Sequence, residues 1–279
     1  MIGGGGAAAW TGRRAVFWAG NSLEGPAEGA VYDPRTDRWR KLPRGPLGPR
    51  EGYVSAWTGT ELAVIGGSSG DGLVHPIAAA VNPRTRTWRR LPGLNHMDGL
   101  LASGAVWSGD RLFVAGSAYD CSPSPCTPSP IFLAYDVATD VAVPIDLSNA
   151  PSPSITPVAW TGTEVLATGQ DQASVVLYDP SADTWRTAAP APCAMDPGGY
   201  EQSAWLDGRY VTACGRDALQ VYRVAADTWR TIQAGSSPLN HREGSAIVWT
   251  GTDLIVWGGT VRRAGNPTPN SGKSIRLAP

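Results

Sequence analysis

Nine charged or titratable side chains stand in segments that precede tryptophans recurring along the chain. They are Arg50, Glu51, His96, Asp98, Asp196, Glu201, His241, Arg242 and Glu243. An arginine can hold a carboxylate through two parallel hydrogen bonds, and a histidine beside a carboxylate can transfer a proton. If the nine converge, they form a mixed-charge rim around a pocket for a small molecule or a sugar. The alternative is a scaffold role, which the recurrence of Arg-Glu-Gly at 50–52 and 242–244 favours for those pairs.

Other catalytic and cofactor chemistry has no support in the sequence. It contains no Gly-x-Ser-x-Gly, phosphate-loop or dinucleotide-binding pattern. The cysteines and the three histidines lack the spacing that is typical of zinc ligands. We therefore predict neither a metal nor a cofactor, and an enzyme is the less favoured interpretation.

The four cysteines allow two disulfides. The most local of the three pairings joins Cys121 to Cys126, across a short Ser/Pro-rich loop, and Cys193 to Cys214. The alternative is four free thiols. Disulfides would favour an extracytoplasmic or secreted protein, with a cytoplasmic one as the alternative.

Charge and hydropathy exclude two classes of partner. The formal net charge is −1 and no basic stripe is visible, so we do not expect nucleic acid as a partner. No apolar run approaches the roughly 20 residues that a membrane span needs. The segment from Met1 to Trp10 lacks the pattern of a signal peptide. We expect a monomer.

The elements that must position the candidate residues repeat six times. Each repeat has small or apolar residues, then a tryptophan, a tight turn with Thr-Gly or a similar pair, and an apolar run. The anchor tryptophans are Trp10, Trp57, Trp107, Trp160, Trp205 and Trp249. Their spacings are 47, 50, 53, 45 and 44 residues, a period typical of repeat propellers. Most tryptophans occupy equivalent positions, which predicts packing between sheets; Trp18 and Trp257 are the exceptions that could stack on a sugar.

A second element follows the first in five of the repeats. It reads Tyr-Asp-Pro-Arg-Thr-Asp-Arg-Trp-Arg at 32–40, and related segments begin at 81, 135, 178 and 222. The segment that begins at 135 lacks the tryptophan. Proline and aspartate at fixed offsets predict a turn, and Trp-Arg-x-Leu predicts an outer strand. Each repeat is therefore a four-stranded meander, whose two faces can be buried only between neighbouring meanders.

These two elements together resemble the kelch repeat. The resemblance rests on apolar strands that end in Gly-Gly, at 65–67 and 257–259, and on the Tyr-Asp-Pro-x-Thr-Asp-x-Trp segment. It implies an all-β, six-bladed β-propeller in one domain over residues 1–279. The predicted blades are 5–43, 50–92, 100–147, 155–189, 200–233 and 244–279. Kelch propellers most often bind proteins or glycans without catalysis, which the resemblance implies for this chain. The alternative is a sugar-acting enzyme, like an isomerase or mutarotase, with an axial pocket, since some six-bladed bacterial kelch proteins act on sialic acid.

The last repeat predicts an incomplete blade. It has two strands, a long loop and a short third strand at Ser274 to Leu277, and no Trp-x-x-Leu follows. Glycine-rich Met1 to Gly6 does not provide the missing strand either. We expect a last blade without its outer strand. The chain would then be a fragment lacking a segment that supplied it, or a structural repeat within a larger surface protein.

Strand order predicts two unequal faces. In each meander the connections after the first and third strands are short turns that share one face. The connections after the second and fourth strands share the other face, which includes the long loops 66–76, 116–130 and 258–273 and all nine candidate residues. Long loops on a rigid scaffold commonly bind ligands; the alternative is that they are tolerated insertions.

Overall fold

The structure is a computed structural model that describes most of the chain. The described residues are 7–19, 27–68, 78–95, 101–120, 127–169, 174–192, 203–206, 208–214, 218–233, 242–249, 253–261 and 272–276. Within them are 23 strands, a four-residue helix α1 (Pro92–Asn95) and a 3₁₀ turn (Val224–Ala226). No helix in these ranges has the length and apolar character needed to cross a bilayer.

Five antiparallel sheets of four strands each form blades, and in each blade the strands follow the order of the chain. Blade 1 comprises β1 (Ala7–Trp10), β2 (Ala15–Ala19), β3 (Glu28–Asp33) and β4 (Arg38–Lys41). Blade 2 comprises β5 (Glu51–Trp57), β6 (Leu62–Ser68), β7 (Ala78–Asn82) and β8 (Thr87–Arg90). Blade 3 comprises β9 (Leu101–Trp107), β10 (Arg111–Asp120), β11 (Thr127–Asp136) and β12 (Val141–Pro144).

The remaining repeats differ in strand number. Blade 4 comprises β13 (Ile155–Trp160), β14 (Val165–Gly169), β15 (Val175–Asp179) and β16 (Thr184–Thr187). Blade 5 comprises β17 (Ser203–Leu206), β18 (Arg209–Cys214), β19 (Ala218–Arg223) and β20 (Thr228–Gln233). The last repeat forms a three-stranded sheet, which we call the seam sheet: β21 (Arg242–Trp249), β22 (Asp253–Val261) and β23 (Gly272–Arg276).

The predicted count of six blades is therefore corrected to five four-stranded blades. In those five, a segment after the second turn supplies the fourth strand, whereas the described residues of the last repeat supply only three strands. The expectation that Met1 to Gly6 contribute no strand lies outside the described residues.

The sheets are arranged in a ring around their first strands. β1 contacts β5, β5 contacts β9, and the series continues through β13 and β17 to β21, which contacts β1. The seam sheet thus lies between blade 5 and blade 1. This arrangement is a β-propeller of antiparallel sheets.

The turns have the geometry that their residues predict. The turn after each anchor tryptophan contains a glycine, and those that the structure describes have positive φ, as Gly12 and Gly59 do. Glycine adopts positive φ without strain because it has no Cβ. In the second turn, the first aspartate accepts hydrogen bonds from backbone amides two or three residues later, as Asp136 does from Ala138 at 2.8 Å. The residue with positive φ in this turn is an aspartate in four blades and Arg86 in blade 2. Aspartate tolerates this conformation well because its side chain can bond the local backbone.

The hydrophobic core is divided among the interfaces between successive blades. One buried cluster lies at each interface from blade 1 to blade 5, and each contains residues from both neighbouring blades. The second and third strands carry most of these residues; in β14, for example, all five are buried. Such strands are apolar on both faces because each sheet is covered on both sides.

The two faces of the ring follow from the meanders. The first strand of each blade ends at its anchor tryptophan, beside a short turn that the backbone closes, as Thr58 does with Glu61 at 2.9 Å. We call this the short-turn face. The second-to-third and fourth-to-first connections lie at the opposite ends of the strands, on what we call the long-loop face.

Candidate functional site

Arg50 is the one predicted site residue whose side chain the structure describes. It lies on the long-loop face, where the connection from blade 1 enters β5, and its exposed fraction is 3 %. Its Nη1 donates to the carbonyl oxygen of Gly66 at 2.9 Å, and its Nε donates to that of Gly48 at 3.2 Å. Burial lowers the pKa of Arg50 from its usual value. The first of these hydrogen bonds ties the connecting segment to β6, and the second holds the backbone of that segment itself.

For three further predicted residues the structure describes the backbone position but not the side chain. Glu51 pairs with Ser68 at the start of β5, and in β21 Arg242 and Glu243 pair with Val261 and Thr260. These positions begin first strands on the long-loop face, as the strand order predicts. Their side chains lie outside the described residues, as do His96, Asp98, Asp196, Glu201 and His241. The convergence of the nine groups into one pocket stays a prediction.

The disulfide prediction also stays open. Cys214 is the last residue of β18, but its side chain is outside the described set. The other three cysteines, Cys121, Cys126 and Cys193, are outside it as well.

A groove on blade 3 is the cavity that the structure describes on the long-loop face. It is an open depression with a volume of about 350 Å³. Its lining comes from the start of β11 and from the segment after β12: Pro130, Ile131, Phe132, Pro144, Ile145, Asp146, Leu147 and Ser148. Five of these side chains are aliphatic or proline, and Phe132 is buried beneath them with an exposed fraction of 1 %. The groove therefore offers an apolar floor with polar groups at one end.

The hairpin of β10 and β11 forms one wall of this groove. Both strands have ten residues, whereas β12 pairs only with the last four residues of β11. The first six residues of β11 consequently extend past β12 toward the long-loop face, and those at 127–130 are exposed. Sequence reasoning missed this site. The available signals were the apolar run at 130–135 and the absence of the outer tryptophan from this second element alone among the five.

Asp146 supplies the charge at the polar end of the groove. It accepts hydrogen bonds from the backbone nitrogen of Ser148 at 2.8 Å and from the hydroxyl of Ser148 at 2.7 Å. The Ser148 hydroxyl and amide lower the pKa of Asp146 below its ordinary value. Asp146 is therefore a carboxylate at neutral pH, held in a fixed orientation by its neighbour.

The predicted stacking role of Trp18 is wrong. Its exposed fraction is 1 %, because its indole is enclosed between blades 1 and 2. The ring centroid lies 4.9 Å from that of Tyr53 and 6.5 Å from that of Trp88, both in blade 2. Trp18 is a packing residue of the core. The side chain of Trp257 is outside the described set.

A chain of polar side chains connects blade 4 to blade 5. Glu164, in the turn just before β14, accepts two hydrogen bonds from Arg186 in β16, both at 2.7 Å. The Arg186 guanidinium also approaches the hydroxyl of Tyr222 in blade 5. That hydroxyl donates to Asp227 at 2.6 Å, and Asp227 in turn accepts from the backbone nitrogen of Ala189 at 2.8 Å. We call this Glu–Arg–Tyr–Asp arrangement the interblade relay.

The same relay recurs between blade 2 and blade 3. Glu61 accepts from Arg89 at 2.8 Å, Arg89 approaches Tyr135 of the next blade, and Tyr135 donates to Asp140.

The sequence shows that basic and acidic residues alternate at one position of the repeat. The residue four positions after the anchor tryptophan is Arg14, Glu61, Arg111, Glu164, Arg209 and Asp253 in successive repeats. Arginine in odd repeats and an acid in even ones show that the repeats alternate in character.

The relay predicts a loss of stability at alkaline pH. Burial, followed by the hydrogen bond to Asp227, raises the pKa of Tyr222 from 10.0 to about 12. A folded-state pKa above the unfolded value stabilises the fold below pH 10, and this stabilisation is lost as the pH rises from 10 through 12. We expect urea midpoints to fall across this window, and to fall less steeply in Tyr222→Phe.

Tyrosinate absorbance at 295 nm measures the titration directly. Tyr222→Phe should remove one late-titrating group from the folded protein. Asp227→Asn, which keeps the tyrosine but removes the carboxylate, should bring that titration nearer to pH 10. An unchanged titration in both variants would contradict the assigned partnership.

Neither metal-ligating residues nor a relationship to a known protein assigns a function to this chain. Within the described ranges, no three His, Cys, Asp or Glu residues come close enough together to hold a metal ion. No protein-family model matches the chain, and no curated protein matches it.

Proposed function

We propose that this protein is a kelch-type propeller that binds a protein or glycan ligand, without catalysis, through its long-loop face. The observation that carries the proposal is the apolar groove beside the projecting β10–β11 hairpin. Ligand sites are typically concave and mostly apolar, with a few polar groups that set orientation. The groove combines such a floor with the fixed carboxylate of Asp146.

A protein segment fits this groove better than a sugar. Sugars are usually held by an exposed aromatic face together with several polar side chains, and the aromatic ring here, Phe132, is buried. Prolines and branched aliphatic residues suit an apolar anchor side chain, as in peptide-binding grooves. The exposed edge of β11 beyond β12 offers carbonyl oxygens to an extended segment, although Pro128 and Pro130 carry no N–H to donate in return. We infer an extended peptide with an apolar anchor and a nearby basic group, which Asp146 would attract.

We also infer that the seam sheet serves as the sixth blade of this propeller. The contacts of β21 with both β17 and β1 support that interpretation. A closed ring holds the ends of the long loops at fixed separations. This reduces the conformational entropy that the loops lose when a ligand binds.

Selection from a displayed peptide library, with a glycan array in parallel, tests the proposal. We expect peptides rather than glycans to bind, and we expect Pro144→Glu to weaken the selected peptides by about tenfold or more. Pro144 is exposed at the rim of the groove, so the substitution places a charge there without disturbing the core. Titration by fluorescence anisotropy gives the affinities.

The matched control is Val141→Glu, at the other end of the same strand. Val141 is 51 % exposed and lies at the short-turn end of β12. This variant should bind peptides as the unaltered protein does. Binding of glycans alone, or equal weakening by both substitutions, would refute the proposed peptide groove.

A further inference from the structure

The formal net charge of −1 conceals an uneven distribution of charge around the ring. Residues 7–95, which contain blades 1 and 2, include 12 basic and 7 acidic residues. Residues 101–192, which contain blades 3 and 4, include 2 basic and 9 acidic residues. The propeller therefore has a basic side and an acidic side, and this asymmetry would orient it at a charged surface.

The carboxylates of blades 1 and 2 do not neutralise the excess of arginine, because those whose side chains the structure describes already have partners. Three of them form ion pairs, and the fourth accepts a hydrogen bond from a tyrosine. The pairs are Arg14–Asp33 at 2.9 Å, Arg89–Glu61 at 2.8 Å, Lys41–Glu28 at 3.3 Å and Tyr32–Asp37 at 2.9 Å.

Six exposed arginines of blades 1 and 2 make no ion pair with any side chain that the structure describes. They lie in the outer strands β4 and β8 and in the turns that precede those strands. We call them the basic rim: Arg35, Arg38, Arg40, Arg84, Arg86 and Arg90. A guanidinium that no carboxylate occupies is available to an external anion.

The interface between blades 1 and 2 also reverses one of the charges of the interblade relay. Arg40 has the same register in β4 as the relay arginines Arg89 and Arg186 have in their outer strands. At both relay interfaces the next blade supplies a tyrosine and an aspartate, whereas blade 2 has Val81 and Arg86 in their places. An arginine thus replaces the acid. Like charges repel each other, and an external anion removes that repulsion.

Two hydrogen bonds join the outer parts of blades 1 and 2. Arg86 donates to the carbonyl oxygen of Lys41, the residue after Arg40, at 3.0 Å. The indole N–H of Trp88 donates to the carbonyl oxygen of Pro43 at 2.9 Å. The arginines of the two blades therefore belong to one continuous surface.

Trp39 adds a large apolar group to this surface. It lies between Arg38 and Arg40 in β4, and its exposed fraction is 56 %. Its ring contacts Phe17 at 5.5 Å and Tyr32 at 4.8 Å, measured between ring centroids. An indole favours the boundary between lipid headgroups and acyl chains, because its ring is apolar and its N–H is polar.

We propose that the basic rim and Trp39 bind the surface of an anionic lipid membrane. Negative headgroups attract each arginine that lies near them, and the indole of Trp39 inserts among the headgroups. Strands of nucleic acid are usually held along a charged groove, but the groove that the structure describes is on blade 3. A broad cationic surface with an exposed indole therefore favours lipid over a polymer. This surface is separate from the peptide groove.

Co-sedimentation with vesicles tests the proposal. We expect the protein to bind phosphatidylcholine vesicles with about 30 % phosphatidylserine at least about tenfold more tightly than vesicles of phosphatidylcholine alone. Salt at about 0.5 M should abolish most of this binding, because it screens exposed charges. Arg38→Gln combined with Arg40→Gln should weaken binding by about thirtyfold, and Trp39→Ala by about tenfold.

Arg223→Gln combined with Arg230→Gln is the matched control, because it removes the same charge from exposed positions of blade 5. It should change vesicle affinity less than about twofold, since its charges are far from the basic rim. Thermal unfolding should show that all variants remain folded. Equal weakening by the two double variants, binding that needs no phosphatidylserine, or unaltered binding by Trp39→Ala would each overturn the proposal. So would failure to bind the vesicles, and heparin or duplex DNA that bound instead would identify a polymer site.

Discussion

Trp18→Ala is expected to lower the free energy of unfolding by about 3–5 kcal/mol, the range for a buried tryptophan truncated to alanine. Trp18 is 1 % exposed and fills the interface between blades 1 and 2, against Tyr53 and Trp88. Its carbonyl also accepts a hydrogen bond from the Tyr53 hydroxyl at 3.4 Å. Removing the indole leaves a cavity that two rigid sheets cannot close. Equilibrium unfolding in urea, followed by circular dichroism, measures the change.

Trp10→Ala is the matched control in the same blade. Trp10 is 41 % exposed at the end of β1, so its removal exposes little new surface and creates no closed cavity. We expect a loss of about 1 kcal/mol or less. Equal destabilisation by the two substitutions would show that Trp18 is not a core residue.

Gly104→Ala is expected to lower the free energy of unfolding by about 1–3 kcal/mol, the usual cost of overpacking. Gly104 lies in β9 where the first strand of blade 3 passes closest to the first strand of blade 4. A Cβ at this position would lie 2.5 Å from the carbonyl oxygen of Pro157 and 3.0 Å from its Cδ. Neither atom belongs to a flexible side chain, so the two strands must separate. Chemical denaturation of the purified variants gives the difference.

Gly48→Ala serves as the control for Gly104→Ala. A Cβ at Gly48 meets no atom within 4 Å, and the φ of Gly48 lies outside the left-handed region. Its effect should stay within about 0.5 kcal/mol, with slight stabilisation expected from the restricted unfolded chain. If Gly104→Ala were equally neutral, the close approach of β9 and β13 would be refuted.

The sequence alone predicts the meander and its turns because these depend on neighbouring residues. Thr-Gly after the anchor tryptophan and Asp-Pro in the second turn act over four to six positions. The structure confirms them, with positive φ at Gly59 and hydrogen bonds from backbone amides to the Asp136 carboxylate. The number of repeats did not predict the number of four-stranded blades. Six repeats predicted six blades, whereas the structure has five sheets of four strands and one sheet of three.

The candidate site was harder to predict, because side chains far apart in sequence decide it. The groove requires Pro130 and Ile145 to meet across a hairpin and a following connection. The relay requires Glu164, Arg186 and Tyr222, which come from a turn and two strands of two different blades. The alternation of arginine and an acidic residue four positions after the anchor tryptophans is visible in the sequence. No neighbouring residue, however, indicates which side chains these charged groups contact.

The amino-acid sequence by itself determines that this protein is a series of antiparallel meanders with two unequal faces, because strand period and turn chemistry act locally. Which residues are buried between blades was decided by tertiary structure. Trp18 and Trp39 both lie in strands of blade 1, yet one is enclosed and the other is 56 % exposed. The difference arises because blade 2 covers one side of blade 1, while the described seam sheet has three strands on the other. Whether a side chain is buried depends on the blade that packs against it, and the arrangement of the blades in the ring decides which blade that is.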